Sequence, residues 1–298
     1  MPPHVLIAAI VVSALLMLTS CASTGPARAD GPTKFRLNAH KNIAYREGQG
    51  LFDRSHQLDV YQPEGVENAP VLLWVHGGAW QIGSKFWDAH IAKRFAKRGI
   101  LSVAINYRLG ARVKHPDHIR DVARAFDWVK KHAAKYGGDP DNIFIGGHSA
   151  GGHLVALLAT NEKYLREVHH STNEIAGVIP VSGLYRVGAT SVIFRGFDSE
   201  EDAFVDASPE FHVDEFQPPF LIVLGDHDLP LLDAQAFGFK RELDRHDSPV
   251  ALVKARRRGH VTIWWHLGRD DDAATCAMLE FIATYSRNLD DPRTYLGL

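Results

Sequence analysis

Ser149 lies in Gly147-His148-Ser149-Ala150-Gly151, a Gly-x-Ser-x-Gly run whose chemistry would be nucleophilic attack by a hydroxyl. Before it, Asn142-Ile143-Phe144-Ile145 reads as a buried strand; after it, the apolar stretch from His153 to Thr160 reads as a buried helix. A turn this tight strains the serine backbone, and glycines on both sides remove Cβ atoms that would clash. It lifts the hydroxyl above the sheet edge and sets the following amides at a helix N-terminus, where negative charge is stabilised. A serine at a helix N-cap is also common for structural reasons alone. Gly-rich strand-to-helix turns cradle phosphates too, but neither a P-loop ending nor a Gly-x-Gly-x-x-Gly spacing is present.

A serine hydroxyl attacks only when a base takes its proton, and the base needs an orienting partner. Two later strand ends offer these. Leu221–Leu224 runs into Gly225-Asp226-His227-Asp228, and Val250–Val253 runs toward Arg256-Arg257-Arg258-Gly259-His260. Of seventeen histidines, His260 is the one expected in the loop after the last strand. His148 and His153 flank the serine and are expected to point away from the hydroxyl or pack beneath its helix, and His266 falls on the helical side of Trp264-Trp265. Asp226 and Asp228 both lie in the right turn, so the residues alone leave that choice open. Donors for an oxyanion are the Ala150 amide and the loop His76-Gly77-Gly78-Ala79-Trp80, where glycine lets the backbone approach a substrate.

The elements that must position these groups alternate in kind. Ile43-Ala44-Tyr45 and Leu58-Asp59-Val60-Tyr61 suggest an antiparallel entry to a sheet. Pro70–Val75, Ile100–Ile105, Ile143–Ile145, Ile175–Val181, Phe220–Leu224 and Val250–Val253 read as its further strands. Helices are expected over Asp117 to Lys135, after Ser149, over Leu232 to Arg245, and from the Asp270-Asp271-Asp272 triplet to about Ser286. The triplet reads as partners of the helix dipole rather than as a metal site. Leu184 to Gln217 loses periodicity and reads as a short insertion over the site, with Phe194, Phe197 and Phe204 as candidate pocket aromatics beside Trp80. Arg256 to Arg258 read as a solvated basic loop. Strands alternating with helices imply an α/β class, a mostly parallel sheet covered on both faces with ligands at the strand C-terminal ends.

The sequence resembles the α/β-hydrolases of the carboxylesterase and hormone-sensitive-lipase-like group, and within it the small esterases and arylformamidases with His-Gly-Gly-x-Trp. The residues that carry the likeness are Leu58-Asp59-Val60-Tyr61-Gln62-Pro63, His76-Gly77-Gly78-Ala79-Trp80, Asn106-Tyr107-Arg108, Asp139-Pro140-Asp141, the Gly-His-Ser-Ala-Gly-Gly run and Gly259-His260. The resemblance implies a serine, acid, histidine order and selects Asp228 at the Asp of a Gly-x-x-Asp turn. It also implies oxyanion amides at Gly78, Ala79 and Ala150. Ala79 stands where the lipase-like branch has a third glycine, which weakens any claim to that branch's substrates. The implied activity is ester hydrolysis by Ser149, His260 and Asp228 through an acyl-enzyme, with no cofactor. Formamide hydrolysis of the N-formylkynurenine type is the alternative. A non-catalytic binding protein on the same scaffold is the alternative of another class.

The chain of 298 residues, 45% hydrophobic with a net charge of −2, bounds an ordinary globular domain without an electrostatic footprint for nucleic acid. Residues Val5 to Leu18 form an apolar run suited to a secretory signal, ending in Leu18-Thr19-Ser20-Cys21, which resembles a bacterial lipobox. The expected division is a signal over residues 1–20, a tether over 21–34 beginning at a lipidated Cys21, and a catalytic domain over 35–298. The expected location is the cell envelope, held to the membrane by lipid. Ala27-Arg28-Ala29 offers ordinary cleavage and a soluble exported product instead. Cys276 reads as a small buried hydrophobe in the last helix.

Overall fold

The computed structural model describes residues 34–46, 53–110, 112–188, 201–287, 292–296 and 298. The signal reading, the tether reading apart from Lys34, Cys21, and the candidates Phe194 and Phe197 lie outside the described residues. In chain order, the elements that position the site are β1 (Leu37–Ala44), β2 (Gln57–Pro63), β3 (Ala69–Val75), helix α1 (Ala89–Ala96), β4 (Leu101–Ile105), α2 (Asp117–His132), β5 (Gly138–His148) and α3 (Ala150–Thr160). They continue with β6 (Ile175–Val181), β7 (Phe220–His227), α4 (Leu232–Arg245), β8 (Val250–Gly259), α5 (His260–His266) and α6 (Ala273–Tyr285).

The eight strands form one sheet in the order β1-β2-β4-β3-β5-β6-β7-β8. The entry is antiparallel, β1 on β2 and β2 on β4. From β4 to β8 all neighbours are parallel. Period-two alternation divides β3 between two cores: Val71, Leu73 and Val75 join the cluster packed with α2, α3 and α4, while Leu72 and Trp74 join the one packed with α1 and α6. The sheet is therefore covered on both faces, which is why its strands read as continuous apolar runs.

Two glycines let this packing close. A Cβ on Gly147 would lie 2.6 Å from the Gly151 backbone, and one on Gly151 would lie 2.0 Å from the Val75 carbonyl oxygen. Neither residue is in the left-handed region; close approach is what requires them, so the nucleophile helix can seat directly on the end of β3.

Several boundaries differ from the sequence reading. Strand β8 runs through Arg256, Arg257 and Arg258 instead of ending before them, so these residues are not a loop. Arg258 pairs with the buried Asp272 at 3.2 Å. Within the acidic triplet only Asp272 caps α6, accepting from the Thr275 amide at 3.1 Å. Asp270 pairs with Lys34 and Arg98, and Asp271 with Arg269. Cys276, read as a buried hydrophobe, is only partly buried on α6.

Of the stretch from Leu184 to Gln217, the described part lies against the flank of α3. His153 donates from Nε2 to the Ala207 carbonyl at 2.7 Å, and Asp206 accepts from the Tyr164 hydroxyl and also pairs with Lys163 and His115. Phe204 packs against the core there. Leu184 alone of the described part reaches the cavity above Ser149.

Candidate active site

Ser149 has φ 56° and ψ −118°, a conformation an L-residue adopts only under restraint. The restraint is visible: its amide donates to the Val181 carbonyl at 2.8 Å, and its own carbonyl accepts from His153 in the first turn of α3. The hydroxyl is thereby presented at the C-terminal ends of the parallel strands, where the sequence placed it.

His260 is the first residue of α5, directly after β8, rather than a residue of a loop. Its Nε2 lies 2.9 Å from Ser149 Oγ, and its Nδ1 lies 2.7 Å from Asp228 Oδ1. Because Nδ1 faces a carboxylate it carries the proton and donates, which leaves Nε2 with the lone pair that accepts from the serine hydroxyl. Asp228 closes the line. Burial pushes its carboxyl upward, but hydrogen bonds from His260, from the Ser182 hydroxyl at 2.5 Å, and from the Gly225 and Leu229 amides outweigh this and hold it at about 2. Asp226 is directed elsewhere, accepting from the His227 ring and the Arg258 amide. Of the two carboxylates between which the residues alone left the choice open, Asp228 is the one that meets His260.

The loop after β3 passes over the serine: a Cβ on Gly77 would lie 3.2 Å from that of Ser149. Gly78, Ala79 and Trp80 follow with φ of 114°, 52° and 60°, three consecutive left-handed residues that curl the backbone. The turn is closed by the Gly78 carbonyl, which accepts from the Gln81 and Ile82 amides at 3.0 Å each. Among the described residues no acceptor takes the Gly78 or Ala79 amide. With Ala150 at the start of α3, these are donors of the kind an oxyanion needs. Beneath the loop the His76 ring stacks on Tyr107 at 4.4 Å and donates from Nδ1 to the Gly77 carbonyl at 2.7 Å.

The cavity in front of Ser149 measures about 670 Å³. Its walls are chiefly apolar and include Ile82, Trp87, Trp264, Leu184, Leu229 and Leu231. Trp80 borders it but is 1% exposed and packs edge-on against His153 at 5.2 Å, so it belongs mainly to the core. The tryptophans open to the cavity are Trp87 and Trp264, which sequence reasoning did not select. Trp264 carried a signal, standing one helical turn after His260.

Two further groups were missed. Ser182 sits at the end of β6, beside the strand that ends in the acid, and only the sheet order reveals that its hydroxyl meets Asp228. His148 does not turn away from the site: its Nε2 donates to the His260 carbonyl at 2.9 Å, and the two rings lie 4.7 Å apart. His153 is fully buried on the nucleophile helix, its ring on the Ala207 carbonyl and against Trp80, and the His266 ring meets the Thr262 carbonyl of its own turn.

Burial holds His148 and His153 down at about 3 and His76 at about 4, all neutral in the folded chain. The unfolded chain takes protons at these rings from about pH 6.5 downward. Folded stability is therefore lost as pH falls from there toward the folded values, by up to ~1.4 kcal/mol per pH unit for each ring. Asp88, which burial pushes up to about 6, offsets one of the three over the same range. The urea midpoint is accordingly expected to drop between about pH 7 and about pH 5; an unchanged midpoint would contradict neutral buried rings.

A parallel sheet with a strand–serine–helix elbow and a histidine after the last strand defines the class: this is an α/β-hydrolase. Residues 58–243 match the BD-FAE family, and the chain belongs to that family. It is 34% identical over 248 residues to the probable carboxylic ester hydrolase LipM of Mycobacterium tuberculosis, an overlap of 74% of this chain and 57% of LipM. It is 33% identical to esterase LipQ of the same organism over 75% of this chain and 56% of LipQ. The chain thus spans little more than half the length of these curated relatives. Among solved structures, esterase B from Lactobacillus rhamnosis shares the fold with a TM-score of 0.72 at 20% identity, over 93% of this chain and 94% of that one.

Proposed function

We propose that this chain hydrolyses carboxylic esters of apolar acyl or aryl groups. The observation that carries the reading is the unbroken hydrogen-bond line Ser149–His260–Asp228 beneath the Gly78 and Ala79 amides. Ser149 Oγ attacks the ester carbonyl as His260 Nε2 takes its proton, and Asp228 stabilises the imidazolium that forms. The carbonyl oxygen becomes an oxyanion against the Gly78, Ala79 and Ala150 amides, each such donor contributing about 3 kcal/mol to the transition state. His260 then protonates the leaving alcohol, and a water that it deprotonates releases the acid from the acyl-enzyme. The apolar walls suit an acyl chain or aromatic ring better than a charged one, in keeping with the esterase names of LipM and LipQ.

The test is a panel of p-nitrophenyl esters of increasing acyl length together with N-formylkynurenine, run on the wild type and on Ser149→Ala. Ester turnover above formamide turnover, all of it lost in the variant, is the expected result. Preference for the formamide would make the chain an arylformamidase. No turnover of any member would favour a binding role on a hydrolase scaffold.

The proposal extends to location. The apolar run from Val5 to Leu18 followed by Cys21 supports export and a lipid anchor. Cys21→Ala is then expected to move the protein from the membrane fraction to the soluble one.

A further inference from the structure

Helix α5 holds the general base at its first position, yet it is seven residues long and Ile263 is its one buried residue. So short a helix is not stable by itself. Beyond its packing on β7 and β8, side chains of one neighbouring segment, the N-cap and body of α1, reach its C-terminal half. The His90 Nε2 contacts the Trp264 carbonyl at 3.2 Å. The Arg94 guanidinium donates to the Trp265 and Leu267 carbonyls at 3.0 and 2.7 Å. These are carbonyls at the C-terminal end of α5, which the helix itself cannot satisfy. The third contact comes from Asp88: Oδ1 accepts from the Trp264 indole N–H at 2.7 Å.

Asp88 is unusual in two respects. It occupies the N-cap of α1 but makes no side-chain capping bond to that helix. Instead its second oxygen accepts from the Trp74 indole at 2.6 Å. It is also 2% exposed, with no ion pair to any described residue. Burying a carboxylate without a counter-charge is unfavourable, and two indole donors compensate it only in part. A helix cap does not explain that arrangement, since the carboxylate is turned away from the α1 amides. A link does. Trp74 lies in β3, two residues before the loop that carries Gly78 and Ala79, and Trp264 lies one turn after His260.

We propose that Asp88 is a positioning residue: one carboxylate bolts the helix that begins at His260 to the strand that feeds the oxyanion loop, fixing base and oxyanion donors relative to each other. It touches neither the reacting atoms nor the triad. Its influence on the base passes through Trp264, and because Asp88 and Trp264 both line the cavity, the same link ties pocket shape to the placement of Nε2 against Ser149 Oγ. The proposal rests on the reading of Ser149 and His260 as nucleophile and base.

The experiment compares Asp88→Asn, Trp264→Phe and a control, Ile282→Val, a buried residue of α6 that does not line the cavity. An amide at 88 offers one acceptor oxygen to two indoles and therefore loses one of the bonds. Phenylalanine at 264 keeps most of the ring and removes the donor. With p-nitrophenyl acetate, whose acyl group is too small to probe the cavity walls, both site variants are expected to lose about tenfold in kcat with KM within about twofold. The downfield proton resonance of His260 Nδ1–H on Asp228 is expected to broaden or shift in both. Ile282→Val lowers Tm without either change. Wild-type kcat and resonance in folded Asp88→Asn and Trp264→Phe would overturn the proposal, as would an equal kcat loss in the control. If Asp88→Asn does not fold, Trp264→Phe decides by the same readouts. An inert wild type, or an active Ser149→Ala, would instead defeat the esterase reading itself.

Discussion

Ser149→Ala is expected to lower kcat on every ester the protein hydrolyses by about 10⁶-fold, with little change in Tm. The variant removes the atom that forms the acyl-enzyme while leaving the elbow intact, because the restraints on residue 149 come from its backbone amide and carbonyl. Alanine meets the same left-handed geometry as serine and adds no volume. His260→Ala is expected to cost about as much, since serine without a base at Nε2 is no better a nucleophile than water. The double variant should lose no more than either single one, because the two groups act as a unit. Additive losses in the double variant would mean that serine and histidine work in separate steps. The residual rate in all three should stay above the uncatalysed one, since the Gly78, Ala79 and Ala150 amides remain.

Asp228→Asn carries the second largest effect, about 10⁴-fold in kcat. An asparagine at this position can present its N–H₂ to His260 Nδ1, which then has to accept rather than donate, and the proton moves to Nε2 where it faces the serine. The carboxylate now takes bonds from His260, Ser182 and two backbone amides, four donors for one group. Its neutral replacement cannot satisfy all four and gives the imidazolium no counter-charge. Asp226→Asn serves as the comparison. That residue lies two positions earlier, within the end of β7, and accepts from His227 and the Arg258 amide, outside the triad. Its variant should retain kcat within about twofold, as expected for a group outside the reacting line. Equal losses in the two variants would contradict the assignment.

How much of this was legible in the sequence depends on how local the cause is. The elbow was legible because the constraint is local: Gly147 and Gly151 are glycines for want of room, and a strand and a helix adjoin them in the chain. The last strand and its histidine were legible because order along the chain is preserved in order along the sheet from β5 to β8. The choice between Asp226 and Asp228 was not, because the two are two residues apart and only where β7 ends, after His227, decides which meets His260. Ser182 and His148 were missed for a different reason. Their roles arise from contacts across neighbouring strands and from a carbonyl 112 residues away, and nothing in their own surroundings announces them. The pocket aromatics show the same limit. Trp80, the last residue of the motif, is buried in the core, whereas Trp87 and Trp264 face the cavity because the N-terminal end of α1 and α5 meet there, a pairing with no trace in local periodicity. Arg256 to Arg258 were read as loop because their charge resembles solvated surface. In the sheet they lie on an edge strand, where charged side chains are ordinary.

The most direct measurement is the mass of the intact protein after treatment with a fluorophosphonate that mimics the tetrahedral intermediate, followed by peptide mapping. The account predicts one adduct per chain, on the peptide containing Ser149, with complete loss of esterase activity and no adduct on Ser149→Ala. Labelling of another residue with activity lost, or unaltered turnover by a chain fully modified at Ser149, would contradict it.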